Sequence, residues 1–497
     1  MNLALSERPT ACCREAFRQI KNIQEQADCI VPDVYEDVGQ IVSAHAQLYL
    51  KSKDVTDNAV KVEAEAQIGV LYITESRDRV RCILFSKSMT IPWDTPELDA
   101  ESTAQVSLRC TGVQARAVNP RKISAQLSVC AELSCWTQTS FSVPSGTADE
   151  ETADLYLRQS SEECIFVTQV SEKSFVVNEQ LPLDAQVEPT ALSLARVKLL
   201  YFDYQPIGSK LLLKGGAELS IGYETQQGSC PEYLEQCLPF SVLIDMPDED
   251  CIPGRVILEP TAIYTDLGDA INGSRVIELE LHATAQLIFE RRETISFLSD
   301  AYSTVCPVLA AESTTPVCCS LGTERLTASA ADSITLEKES GEIVSVFSDV
   351  LSSSVSDAKA ALSASVVMLL RTDDGSYDVR QRLLSFEATL PNPGGEITDA
   401  RIVTLRAERR GDELAIDASA SLDWTHSETK ELRYLSSLEL DSEHSFDRRT
   451  FPSLTIARRG DMDLWTLAKL YHSSVDAIEK TAELFPMDGP LLLIPRA

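Results

Sequence analysis

Ile123-Ser124-Ala125-Gln126-Leu127-Ser128-Val129-Cys130-Ala131-Glu132-Leu133 places an apolar residue at every second position. Successive side chains of a strand point to opposite faces, so this period predicts a strand with one buried face. The same alternation returns at Ile277, Leu279, Leu281, Ala283, Ala285, Leu287 and Phe289, and again at Leu414, Ile416, Ala418, Ala420, Leu422 and Trp424. Each stretch follows two others that also recur. The first is led by a lysine: Lys61-Val62-Glu63-Ala64-Glu65-Ala66, Lys214-Gly215-Gly216-Ala217-Glu218-Leu219 and Lys359-Ala360-Ala361-Leu362-Ser363-Ala364. The second is closed by proline: Phe85 to Pro92, Phe240 to Pro247 and Leu384 to Pro391. A pattern repeated three times in the same order predicts three copies of one unit. Each copy holds at least three long amphipathic strands. The expected class is therefore mainly β, with three antiparallel sandwich-like domains.

Length and charge bound what such a chain can do. At 497 residues it exceeds what one hydrophobic core serves, so roughly three to five domains are expected. The 44 basic and 76 acidic residues leave a net charge of −32. Phosphate binding needs a basic patch, which this chain would have to assemble against its own field, so nucleic acid and anionic lipid are not expected partners. The 14 cysteines include no Cys-x-x-Cys. Several, such as Cys82, Cys130, Cys135 and Cys237, fall within strand-like runs, where a free thiol behaves as a small apolar residue. Reduced thiols and a cytoplasmic location are expected. Met1 to Ala16 has no basic start followed by an apolar stretch, and no apolar run is long enough for a transmembrane segment.

The repeats resemble the SPOCS domain of sporulation proteins. Ile30-Val31-Pro32-Asp33-Val34-Tyr35-Glu36-Asp37-Val38-Gly39-Gln40-Ile41 is similar to that family's leading element. Asn119-Pro120-Arg121-Lys122-Ile123 is similar to its entry into the last long strand, and Leu298-Ser299-Asp300-Ala301-Tyr302-Ser303-Thr304 to the segment that ends a repeat. In the third copy Asp412-Glu413-Leu414 replaces the Arg-Lys-Ile element.

The C-terminal residues resemble a second family, the LysM module, a small α+β fold of βααβ order that binds N-acetylglucosamine polymers or proteins. Leu454 and Ile456 fit its first strand. Leu464, Leu467, Ala468 and Tyr471 recur at helical spacing, Val475, Ile478 and Leu484 supply a second helix, and Leu491, Leu493 and Ile494 a closing strand. Trp465 is expected in packing on the first helix. The loops that line the groove of this family correspond to Gly460, Asp461, Met462 and Asp463 on one side and Phe485, Met487, Asp488 and Gly489 on the other. One residue is inserted between Gly460-Asp461 and Leu464-Trp465, and Ala482 stands where most members have Asn. These departures imply weak glycan binding.

The boundaries expected are a helical segment at 1–27, with Ala16, Phe17, Ile20 and Ile23 on one face, and SPOCS-like repeats at 28–142, 164–305 and 322–436. Linkers are expected at 143–163, 306–321 and 437–450, and the LysM-like module at 451–497. The order of SPOCS repeats and then LysM resembles the family of SpoIVA-interacting protein L, which directs spore-coat morphogenesis. The resemblance implies a scaffold in the mother-cell cytoplasm, at the forespore surface, whose partner is a coat-basement ATPase of the SpoIVA type. The alternative it leaves open is a module that binds peptidoglycan or its precursors.

No enzyme is expected. The five histidines, at 45, 282, 426, 444 and 472, form no His-x-x-x-His or His-Glu-x-x-His pattern. His282 falls on the polar side of its strand and is expected to be solvent-facing or hydrogen-bonded. The Gly215-Gly216 and Gly394-Gly395 pairs open neither a dinucleotide nor a Walker loop, so no cofactor is expected.

Overall fold

The six alternating apolar residues from Ile123 to Leu133 are all buried to 1% exposure or less. The computed structural model that places them describes residues 2–95, 98, 101–148, 154–184, 187–226, 228–269, 275–335, 342–446, 452–458, 462–485 and 491–496. The chain is mainly β. Two short strands, β1 (Asn2–Leu3) and β2 (Leu5–Glu7), precede β3 (Thr10–Ile30), β4 (Val38–Thr56), β5 (Ala59–Thr74), β6 (Val80–Asp94), β7 (Thr103–Asn119) and β8 (Lys122–Phe141). Two antiparallel sheets, ordered β3-β8-β7 and β4-β5-β6, enclose one core. There Leu127 and Val129 of β8 join Val62, Ala66 and Ile68 of β5.

The next unit comprises β9 (Pro144–Thr147), which pairs with β2, then β10 (Leu155–Pro182), β11 (Pro189–Ile207), β12 (Lys210–Thr225), β13 (Glu232–Asp245), β14 (Ile252–Asp269) and β15 (Arg275–Ser303). Its sheets are β10-β15-β14 and β11-β12-β13, around Leu213, Ile221, Leu281 and Leu287. A third core, with Leu362, Met368, Ile416 and Trp424, lies between sheets built from β16 (Val308–Thr335), β17 (Glu342–Ser356), β18 (Lys359–Arg371), β19 (Tyr377–Thr389), β20 (Glu396–Arg410) and β21 (Glu413–Leu440). Their pairings are β16-β21-β20 and β17-β18-β19. Pairing of β1 with Leu438 and Glu439 of β21 ties the first residues of the chain to its third unit. The C-terminal residues form β22 (Leu454–Arg458), α1 (Leu464–Leu470), α2 (Val475–Leu484) and β23 (Leu491–Pro495), with β22 antiparallel to β23.

Two expectations are corrected. The helix at 1–27 is not formed: Thr10–Ile30 is a strand running antiparallel to the whole of β8, from Thr10 opposite Phe141 to Ile30 opposite Lys122. Without it one edge of β8 would lose the neighbour that satisfies its backbone groups. The stretches read as linkers hold strand as well. β9 and the start of β10 lie within 143–163, the start of β16 within 306–321, and β21 runs on to Leu440. The long strands extend past their own cores and build smaller ones where they meet, around Phe166, Phe297 and Leu432, and around Leu3, Leu298 and Leu438. Only one face of these ribbons is covered, which leaves their sequence polar enough to read as connector.

The units are joined by polar groups reaching exposed strand edges. Gln286 of β15 accepts from the Val106 N–H at 2.9 Å and donates to the Val106 carbonyl at 2.8 Å, while the carboxylate of Glu259 on β14 accepts from the Leu108 N–H at 3.1 Å. Gln47 of β4 does the same for the Val197 N–H of β11, at 2.9 Å. Three hairpin loops meet at one point. The Val80 N–H donates to the Ser229 carbonyl (2.7 Å), the Tyr377 N–H to the Arg77 carbonyl (3.2 Å), and the Ser229 and Tyr377 hydroxyls are 2.6 Å apart. Nearby, His45 lies 3.0 Å from Asp349 and 3.4 Å from Arg196, one residue from each unit. The buried Glu132 receives Arg18 at 2.8 Å and Arg255 at 2.7 Å, across a further joint.

Burial pushes the Glu259 carboxyl up from 4.5 to about 8, against the pull of the Leu108 N–H. Burial likewise raises Glu290 to about 7. The folded chain thus keeps protons that the unfolded chain releases near 4.5. The unfolded state binds fewer protons above that value, so stability should fall as pH rises from 4.5 through 8. Glu259→Gln keeps an acceptor for Leu108 and removes the ionisable group. Urea unfolding across this window should show a flatter profile for the variant; parallel profiles would contradict the assignment.

Candidate functional site

The C-terminal βααβ unit has its own caps and core. Asp463 begins α1, its carboxylate accepting from the Thr466 N–H at 2.9 Å, and Ser474 begins α2 by accepting from the Ala477 N–H at 3.1 Å. Leu467, Ala468 and Ile478 of the helices and Ala457 and Ile494 of the strands are buried together. A sixth buried member of this cluster, Tyr302, comes from β15 of the second unit.

Tyr302 belongs to a seat that fixes the C-terminal unit on the body. Its hydroxyl donates to the Ser473 carbonyl at 3.0 Å. Its ring stacks on Tyr156 (5.1 Å between centroids) and meets Trp465 edge-on (4.9 Å). Asp300 accepts from the Trp465 indole at 2.8 Å and from the Lys469 ammonium at 2.6 Å. Burial alone would push the Asp300 carboxyl up, but the hydrogen bonds from Lys469 and Trp465 outweigh it and hold the group below its ordinary value. Arg158 of β10 lies over the Trp465 ring and pairs with Asp463 at 2.9 Å. Trp465, expected in packing, therefore packs between the two bodies, with its N–H committed to Asp300.

The residues expected to line a groove divide accordingly. Gly460, Asp461, Met487, Asp488 and Gly489 lie outside the described residues. Asp463 is held below its ordinary value by hydrogen bonds from Thr466 and serves as helix cap and as partner of Arg158. Met462 and Phe485 are 37% and 61% exposed. Sequence reasoning missed Arg158, Tyr156, Asp300 and Tyr302. Asp300 and Tyr302 stood in the segment read as ending a repeat and Tyr156 and Arg158 in the stretch read as a linker, and none is near the C-terminal unit in the chain.

Elsewhere, His282 bonds Glu280 at 2.6 Å and sits edge-on to Tyr264. Among the described residues no group of three or more His, Cys, Asp or Glu is placed to hold a metal ion, and no helix is long and apolar enough to cross a membrane. Comparison with protein-family models, with curated proteins and with solved structures finds no match.

Asp300→Ala should release the seat. It removes two hydrogen bonds to charged groups or indole, each worth about 1.5–3 kcal/mol at most. Limited proteolysis between Asp441 and Pro452 should accelerate at least about tenfold, while the main thermal transition stays in place. Unchanged cleavage would show that the C-terminal unit is held by other contacts.

Proposed function

We propose that this chain is a non-enzymatic scaffold of spore-coat morphogenesis. It consists of three SPOCS-like β domains that carry a LysM-like module, and it links a coat-basement ATPase of the SpoIVA type to the forespore surface from the mother-cell cytoplasm. The observation that carries the reading is the seating of the βααβ unit by Asp300, Tyr302 and Arg158. A module bound to a partner through a rigid body transmits position, which a freely tethered one does not. The recurring strand order of the three units supports the same reading, and several modules on one chain raise effective concentration at an assembling shell. The module contacts its partner through the exposed Met462 and Phe485.

A glycan-binding module is the second reading. Phe485 favours it, because an exposed aromatic face offers a sugar ring a flat apolar surface. Titration of the full chain with the purified ATPase and, separately, with an N-acetylglucosamine hexamer decides between them. The scaffold reading expects the ATPase to bind at about 1 μM or tighter and the hexamer no tighter than about 1 mM. Met462→Asp combined with Phe485→Asp should weaken ATPase binding at least about tenfold without moving the thermal transition. Micromolar hexamer binding lost in the same double variant would replace the scaffold reading with the glycan one.

A further inference from the structure

Cys12 of β3, Cys164 of β10 and Cys319 of β16 pack on one small core with Phe166, Phe297 and Leu432, where the long ribbons of the three units meet. All three are free thiols. Cys164 is wholly buried, and Cys319 is partly exposed. The register of β16 with β21 slips between Cys318 and Ser320, which makes Cys319 the extra residue of a bulge. A bulge breaks the alternation of its strand and re-aims a side chain. The Cys319 thiol thereby reaches β10 of the second unit.

Glu162 of β10 holds the two sulfurs side by side. Its carbonyl accepts from the Cys164 thiol at 3.8 Å, and its carboxylate accepts from the Cys319 thiol at 3.8 Å. Lys430 of β21 fixes that carboxylate at 2.7 Å. The Cys164 and Cys319 thiols also meet each other in hydrogen-bonding contact. Their neighbours are turned elsewhere: the Cys13 thiol donates to the Thr168 carbonyl at 3.5 Å, and the Cys318 thiol to the Ser320 carbonyl at 3.6 Å.

We propose that Cys164 and Cys319 form an oxidative modification site, at which a peroxide converts the resting thiols to a disulfide that ties the second unit to the third. Cys319, the accessible member, attacks the O–O bond as its thiolate. Its sulfur takes one oxygen as a sulfenic acid, and the other leaves as hydroxide and gains a proton to become water. The Cys164 sulfur then displaces the sulfenic hydroxyl, its proton leaves with that hydroxyl as a second water, and the S–S bond forms. Two thiols are oxidised and one peroxide is reduced. Burial raises both thiols, Cys164 to about 11, so closure is slow at neutral pH and quickens as pH rises. The bridge would close a long loop and so restrict the unfolded chain. The site is independent of the C-terminal unit and its partner.

The test treats the folded full chain with hydrogen peroxide at about pH 8.5, where more of each thiol is ionised. Remaining thiols are alkylated, and the chain is digested without reductant and sequenced by mass spectrometry. A peptide linking Cys164 to Cys319 should appear and should separate on treatment with dithiothreitol. It should be lost in Cys319→Ser and kept in Cys318→Ser. The result on the native chain does not depend on whether either variant folds. The oxidised chain should also unfold at a higher urea concentration than the reduced one, and dithiothreitol should reverse the shift. Recovery of Cys164 and Cys319 as separate alkylated peptides, a bridge from Cys164 to any other cysteine, or a bridge that leaves the urea midpoint unraised overturns the proposal.

Discussion

Leu281→Asp unfolds the second unit, and Glu280→Ala, one residue away, leaves the protein as it was. Leu281 is 0% exposed in the core between the two sheets of that unit. A carboxylate there has neither water nor a partner, and burying it costs more than about 4 kcal/mol, a large part of a typical domain's stability. Glu280 points outward and, among the described residues, bonds the half-exposed His282, so its loss should stay within about 0.5 kcal/mol. Leu127→Asp and Gln126→Ala form the same pair in the first unit, since Leu127 is 0% exposed and Gln126 bonds Gln24 at the surface. Urea unfolding of the four variants checks both registers at once. Equal tolerance at both parities would mean that these strands face the other way.

A chain beginning at residue 31 is expected not to fold its first unit. It lacks β3, which accompanies β8 from Lys122 to Phe141 and covers one side of it. Circular dichroism and a thermal scan should show lost strand content and a missing transition, whereas removal of a peripheral helix would leave the scan nearly intact. The two outcomes separate the strand now assigned to Thr10–Ile30 from the helix its sequence suggests.

That misreading has a physical cause. Ile20, which completes the apparent helical face with Ala16, Phe17 and Ile23, is 51% exposed in the strand. The inward positions include Lys21 and Glu25, so the period-two signal is broken by charge. Both charges are satisfied by neighbours that are distant in sequence: Lys21 donates to the Pro92 carbonyl and lies over Trp93, and Glu25 pairs with Lys87 at 3.3 Å. A bulge between Glu15 and Phe17 shifts the register as well. Tertiary pairing decides this segment against its local preference.

The core strands were legible because alternation survives wherever one face is wholly buried, as in β8, β15 and β21. Helical spacing at Leu464 to Tyr471 was legible for the same reason, with Leu467 and Ala468 buried. The joints were not. Gln47, Glu259 and Gln286 are single polar residues in alternating strands, and nothing local distinguishes one that closes a neighbour's edge from one that meets water. The seat of the C-terminal unit was hidden likewise, because Asp300 and Trp465 lie far apart in the chain.

The claim that this chain is a scaffold at the forespore surface is tested most directly by following the full chain, fused to a fluorescent protein, in sporulating cells of its source organism. The account predicts a ring around the forespore on the mother-cell side, which disperses when the coat-basement ATPase is removed. Fluorescence spread evenly through the cell, or a ring that persists without the ATPase, would contradict it.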